Sequence, residues 1–479
     1  MMKKTSALFF TGCSFLMILI LAAAAPGCTS APASHASRPD PWDSLNTILA
    51  QIKAPVFPAK DFLLPDYGAI EGGKADCSTA FKKAIEACST QGGGRVLVPE
   101  GIFLTGPIYL KSNVDLHLQK GARIVFSTHT KDYLPLQHVR WEGVELMNYA
   151  PLVYAYKEKN IAITGEGVLD GQANASNWWP WKGGKDWVKG TPSQNDSTSR
   201  PALMKMNKEG VPVENRKFGE GFYLRPQFFQ PYQCDNILLE GVTFKNSPMW
   251  NITPVLCSNI TIRKVRVEGT GPNTDGCDPE SCRNVLIKDC YFDTGDDCIA
   301  IKSGRNQDGR AFNIPCENIV IQGCTMANGH GGVAIGSEIS GGIKNVFAED
   351  CRMSSPALDR AIRIKSSPER GGVNEKIYVR NITVGQVAQE VVVITMHYKG
   401  ESGDYLPVFR NIEIRDMKVE NGGKIGILLE GYPEQPIEQV RFQNIDIKNT
   451  GLAVKCNDTA GIVFDNVSIN GKKLDTERK

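Results

Sequence analysis

Asn236-Ile-Leu-Leu-Glu240, Asn259-Ile-Thr-Ile-Arg263, Asn284-Val-Leu-Ile-Lys288 and Asn318-Ile-Val-Ile-Gln322 are one phrase written four times: an asparagine, a short run of Ile, Val, Leu or Thr, then a polar residue. Related copies begin at Asn160, Asn345, Lys376, Asn411 and Gln439, with a last one near Gly461. From residue 236 onward the starts lie 22 to 35 residues apart. Alternation at period two means strand, with one apolar face per strand. A single unit cannot bury that face, but stacked coils can. The fixed leucine skeleton of leucine-rich repeats and the longer period of WD40 blades are both missing. The pattern predicts an all-β parallel β-helix, with the asparagines in a ladder.

Working outward, Cys290, Cys324 and Cys351 hold one place in successive repeats and are expected as stacked core thiols. Cys277 and Cys282 flank Asp-Pro-Glu-Ser and are the better disulfide candidate. Zinc fits poorly, because no CxxC pairs accompany them. Ahead of the repeats, Ser78 to Ser89 reads as an amphipathic helix with Phe81, Ala84, Ile85 and Cys88 on one face. Asp76 or Ser78 can cap it and Gly92-Gly-Gly stops it. Such a helix would plug the open end of a solenoid, where strand edges are otherwise unpaired.

The N-terminus carries a second message. Lys3 and Lys4 precede an apolar run from Phe15 to Ala25 that ends in Ala25-Pro26-Gly27-Cys28. This is the form of a signal peptide over residues 1–27. Small residues before Cys28 match a lipobox, so a lipid on Cys28 and membrane tethering are preferred over export as a soluble protein. Residues 28–60 then read as a flexible tether, and 61–479 as a single catalytic domain. The 54 Lys and Arg against 52 Asp and Glu give a net charge of +2, and a chain beginning at Cys28 would be neutral. That balance lacks the electrostatic footprint of a nucleic-acid binder.

The repeat is interrupted at Gln172–Gly221, which holds Trp178, Trp179, Trp181 and Trp187 together with Lys205, Lys208, Arg216 and Lys217. Two readings stay open: a loop that closes a cleft and stacks on sugar, or a satellite core under a long loop.

Chemistry gathers in consecutive coils. Asp275 lies in Gly271-Pro-Asn-Thr-Asp-Gly276, and Asp296 and Asp297 lie about one coil later in Thr294-Gly-Asp-Asp-Cys298. His330 follows in Asn328-Gly-His-Gly-Gly332, then Arg363 and Lys365 in Arg360-Ala-Ile-Arg-Ile-Lys365, then Tyr398. Strand alternation turns Arg363 and Lys365 to one side. Carboxylates at close quarters repel, so at least one should keep its proton at mildly acidic pH. A protonated and an ionised carboxyl together suit acid–base cleavage of a glycosidic bond, and the nearby cations suit an anionic sugar. Calcium would want oxygen ligands without a histidine and two cations beside them.

Taken together, these residues resemble the polygalacturonase family, glycoside hydrolase family 28. The resemblance rests on Asn273-Thr-Asp275, Gly295-Asp-Asp297, Gly329-His-Gly331 and Arg363-Ile-Lys365 in the family's order, and it covers roughly residues 62–470, including Asp66-Tyr-Gly-Ala69. It implies a right-handed parallel β-helix and inverting hydrolysis of pectic α-1,4-galacturonosyl bonds, with no cofactor and no metal. It further implies Asp296 as general acid and Asp275 and Asp297 as the pair activating water. His330 would support the acid, and Arg363, Lys365 and Tyr398 would bind the uronate. Inversion would place Asp296 about 6.5–9.5 Å from a base carboxyl. The insertion points to exo-acting members and release of mono- or digalacturonate. Rival readings are a rhamnogalacturonan or substituted-pectin hydrolase of the same family, a calcium-dependent pectate lyase, and a non-catalytic pectin-binding surface protein.

Overall fold

Ile237, Ile260, Val285, Ile319, Val346, Ile377, Ile412 and Val440 stand in register, one per coil, in a parallel ladder. All eight are at most 2% exposed. This column is the spine of a right-handed parallel β-helix, seen in a computed structural model that describes residues 40–184 and 192–474. One sheet has 23 strands and a second has six, Ile299–Ile301, Val333–Ile335, Ile362–Lys365, Glu390–Thr395, Gly423–Glu430 and Thr450–Asn457. Single bridges Phe229–Ile252–Cys277–Ile299 continue the second sheet back to the strand Phe229–Tyr232.

The asparagine ladder exists and has a backbone cause. Asn160, Asn236, Asn259, Asn284, Asn318 and Asn345 all have φ between 53° and 63°, a left-handed turn that asparagine tolerates better than other side-chain-bearing residues. Their amides bond along the axis: Asn318 donates to Asn284 at 2.9 Å and Asn345 to Asn318 at 3.0 Å. Cys290, Cys324 and Cys351 are buried thiols, as their repeat position requires. The disulfide expected between Cys277 and Cys282 is not formed. Cys282 instead sits just before its strand, at the place held by Cys234, Cys257 and Cys316 in neighbouring coils, and belongs to that second stack.

The first two helices have different duties. Helix α1 spans Leu45–Gln51 and helix α2 spans Ser78–Thr90. Helix α2 buries Phe81, Ala84, Ile85 and Cys88 in the main core, and the Asp76 carboxylate accepts the Ser78 N–H at 2.9 Å. At its end Gly93 has φ 99°, and a Cβ there would meet the Asn113 carbonyl at 2.6 Å.

The tether expected over 28–60 is corrected for its second half. Trp42, Leu45 and Ile48 pack on Val320 and Phe347, on the outside of the large sheet, and form an apolar cluster of their own. The signal peptide, Cys28 and residues 28–39 lie outside the described residues, as does Trp187. No helix among the described residues is long and apolar enough to cross a membrane.

Two further helices carry surface segments to the cleft: α3, Arg200–Lys208, within the insertion, and α4, Asn306–Phe312. An antiparallel hairpin, Gln137–Trp141 with Val144–Asn148, joins them. Its two-residue turn is Glu142-Gly143, both at positive φ, as such tight hairpins require.

Candidate active site

The second sheet turns one column of side chains outward per alternate position. Ala300, Ala334 and Arg363 are in register, and Ile301, Ile335 and Ile364 follow, so Lys302 and Lys365 end neighbouring tracks with Gly336 between them. A Cβ at Gly336 would lie 2.0 Å from the Lys365 carbonyl, so this position has room for glycine alone.

Asp297, 1% exposed, is held by two cations: Arg363 Nη1 donates to Oδ1 at 2.9 Å and Lys365 Nζ to Oδ2 at 2.5 Å. Burial pushes its carboxyl up, but the Lys365 and Arg363 charges outweigh that and hold it below the usual range. Asp296 accepts from His330 Nδ1 at 2.9 Å and from the Asn273 amide at 3.3 Å. Burial works against its charge too, and the His330 hydrogen bond and charge overcome it. The same bond raises His330 to about 9. Asn273 is fixed in turn by the buried Arg225 guanidinium at 2.8 Å.

Asp275 differs. Its Oδ2 lies 3.6 Å from Lys302 Nζ, and its Oδ1 is buried with no hydrogen-bond partner among the described residues. Burial, then the charges of Asp278 and Asp296, push its carboxyl well up, while Lys302 opposes them. Asp275 and its neighbour Asp278 are thus the carboxyls raised here, while Asp296 and Asp297 are held low. Tyr398 completes the group, with its ring 5.3 Å from the Lys365 ammonium and 5.8 Å from the Arg363 guanidinium.

All seven residues singled out from sequence meet at this place. Asp275, Asp296 and Asp297 each bring an oxygen within 4.8 Å of the others. The carboxylates converge as a cation site would, but Lys302, His330, Arg363 and Lys365 already supply their countercharge. Calcium ordinarily takes six to eight oxygens, so this donor set does not fit it.

Sequence reasoning missed the wall of the pocket. Glu142 accepts from Arg200 Nε at 2.7 Å and from Arg305 Nη1 at 2.8 Å, and Arg305 continues to Glu338 at 3.6 Å. Glu338 then meets Lys302 at 3.4 Å. Hairpin, insertion helix and catalytic sheet are thus bonded into one ionic chain beside the acids. It also missed Lys302, although Cys298-Ile-Ala-Ile-Lys302 has the rhythm of Ala361-Ile-Arg-Ile-Lys365.

The two readings of the insertion divide between its parts. Trp178 is buried against Tyr133 and Trp181, and Trp181 packs on Tyr149 and Tyr223, so these rings extend the main core, while Leu203 and Phe218 of the insertion join a satellite core with Trp141 and Leu146. The Trp179 indole donates to the Ser247 carbonyl at 3.0 Å and lies against Gly271, backing the Asn273–Asp275 loop. Arg216 is consumed by Asp308 at 2.6 Å. Arg200 is what the insertion brings to the site.

Residues 214–468 match the family described as Glycosyl hydrolases family 28. A probable polygalacturonase of Vitis vinifera is 30% identical over 83% of this chain and 77% of its own. An exo-poly-alpha-D-galacturonosidase of Dickeya chrysanthemi is 27% identical over 85% of this chain and 70% of its own. The crystal structure of a hyperthermoactive exopolygalacturonase from Thermotoga maritima superposes with a TM-score of 0.87 at 44% identity, covering 90% of this chain and 96% of that one.

Proposed function

The chain belongs to glycosyl hydrolases family 28, and from that premise we propose that it cleaves α-1,4-galacturonosyl bonds of polygalacturonate or oligogalacturonides from a chain end. As a member it is a glycoside hydrolase of the polygalacturonase type, acting on pectic polysaccharide. The observation that carries the finer reading is the Glu142–Arg200–Arg305 junction beside the acids. A polymer threading past the acids needs a groove open at both ends, and a charged junction lining the pocket with the acids favours a terminus. The names of the Dickeya and Thermotoga relatives support the same mode.

In this reading Asp296 gives the proton to the leaving oxygen. His330, hydrogen-bonded to Asp296 at 2.9 Å, is the group with which that proton would be exchanged. Asp275 is the stronger base of the remaining pair, because both oxygens of Asp297 are already committed to Arg363 and Lys365. A base needs a free lone pair, and the unpartnered Oδ1 of Asp275 offers one. Arg363, Lys365 and Tyr398 neutralise and orient the uronate, as a planar guanidinium and an ammonium do with carboxylate. Inversion is inferred from the family. The anomer released first decides it: β product from an α bond means inversion, α product retention. Export by residues 1–27 and a lipid on Cys28 remain part of the proposal, tested by mass spectrometry of the N-terminus from membranes.

Viscosity against reducing ends tests the mode. Early random cuts thin a polygalacturonate solution before many ends appear, whereas cleavage from an end releases sugar while viscosity persists.

A further inference from the structure

Lys302 is a fully buried cation that the reaction as described leaves without a task; it is 2% exposed. Its ammonium lies 3.6 Å from Asp275 Oδ2, 3.4 Å from Glu338 Oε2 and 4.3 Å above the Trp250 ring. Facing it from the preceding coil are Asp275, Asp278 and Glu280, from its own coil Asp297, and from the following coils Glu338 and Lys365. Asp278 falls between the Cys277–Ile299 and Glu280–Lys302 bridges, is fully buried, and has neither carboxyl oxygen hydrogen-bonded among the described residues.

Three of these acids have other calls on them. Glu280 is paired with Arg140 at 3.2 Å, Asp297 with Arg363 and Lys365, and Glu338 shares itself with Arg305. Asp278 makes no ion pair within 4 Å among the described residues; burial pushes its carboxyl up, Lys302 opposes this, and the charges of Asp297 and Asp296 add to the rise. Asp275 is left with one ion-pair partner, Lys302, which touches one of its oxygens and leaves the other free. A carboxylate this deep cannot stay charged without a countercharge.

We propose that Lys302 is a positioning residue for the base: it holds Asp275 by Oδ2, leaves Oδ1 unpartnered, and supplies the charge that lets Asp275 ionise among its neighbouring acids. Glu338 is the tether that sets where Lys302 sits, and through Arg305 and Glu142 it links the base to the wall of the pocket. The direction of the electrostatics agrees, since Lys302 lowers Asp275 and Asp275 helps to raise Lys302.

This rests on the reading of Asp275 as the base, and the test separates the two. The pH profile of kcat/KM on oligogalacturonate is measured for wild type, Lys302→Gln and Lys302→Arg, with folding followed by circular dichroism. Loss of an opposite charge within about 4–6 Å moves a carboxyl by about one to three pH units. The acid limb of Lys302→Gln should therefore move up by that amount, with activity recovering at higher pH, while Lys302→Arg stays near wild type. If Lys302→Gln does not fold, Glu338→Gln serves instead. It frees the ammonium toward Asp275, and the acid limb should move down. An unmoved limb in the folded variant overturns the proposal, and so does a raised KM with an unmoved limb, which would make Lys302 a substrate contact. Asp275→Asn, assayed alongside, tests the base itself: retained turnover there removes the premise, independently of what Lys302 does.

Discussion

Lys365 Nζ and Asp297 Oδ2 meet at 2.5 Å although 68 residues of chain separate them, and both are at least 95% buried. The pair exists because successive coils bring Asp297 and Lys365 to the same face. Its consequence is that Lys365 serves two anions, its own aspartate and the uronate proposed to dock there.

Removing that ammonium should therefore do more than weaken binding. Lys365→Met is expected to raise KM and also to lower kcat, with kcat/KM down about 10²–10³-fold, because Asp297 is left with Arg363 alone. Steady-state kinetics on oligogalacturonates check this. A variant that matches wild type would make Lys365 an ordinary structural lysine.

Asp296→Asn removes the proposed proton donor but keeps the shape and the hydrogen-bonding reach toward His330 and Asn273. Turnover should fall by about 10²–10⁴, with oligomer affinity by calorimetry largely intact. Near wild-type turnover contradicts the assignment.

The pH dependence has a defined sign. His330 is raised to about 9 by its bond to Asp296, so kcat/KM should decline on the alkaline side around that value. Asp275 is pushed above the ordinary carboxylate value of about 4, so the acid limb should lie higher than a free aspartate would place it. His330→Ala should abolish the alkaline limb. The same shift acts on stability: a folded value above the unfolded one of about 6.5 stabilises fully below that pH, and the gain is lost as pH rises through about 9.

Arg200→Ala unlocks Glu142 from the insertion helix while Arg305 still holds it. The wall should loosen, and longer oligomers should appear among early products at similar total reducing-end release. A product profile unchanged from wild type would show that Arg200 does not help to close the pocket.

Trp42→Ala tests the correction to the tether. Trp42 is 6% exposed, edge-on to Phe347 at 5.3 Å, with the Arg380 guanidinium 3.9 Å from its ring centroid. Unfolding by denaturant should show a loss of about 3 kcal/mol. A loss within about 0.5 kcal/mol would return the segment to being a tether.

What could be read in advance follows from what is local or periodic. The asparagines were legible because a left-handed turn recurs at each of them, and Cys290, Cys324 and Cys351 because they keep one phase of the strand. Asp275, Asp296, Asp297, His330, Arg363 and Lys365 were legible through coil spacing. The Cys277–Cys282 pairing misled because nearness in sequence says little along an extended chain whose side chains stack across coils. Glu142, Arg200, Arg305 and Glu338 were invisible, since ion pairs between a hairpin, an insertion and two coils leave no periodic mark. The order of residues 41–51 was readable and passed over: Trp42, Leu45, Ile48, Leu49 and Ile52 have helical spacing.

The most direct measurement is the identity of the first products from polygalacturonate and the purified protein, separated by anion exchange and weighed by mass spectrometry at early times. The account predicts saturated mono- or digalacturonate, carrying the mass of added water and no ultraviolet absorbance from a new double bond. Unsaturated products, or a ladder of mid-length oligomers at the earliest time point, would contradict hydrolysis from a chain end.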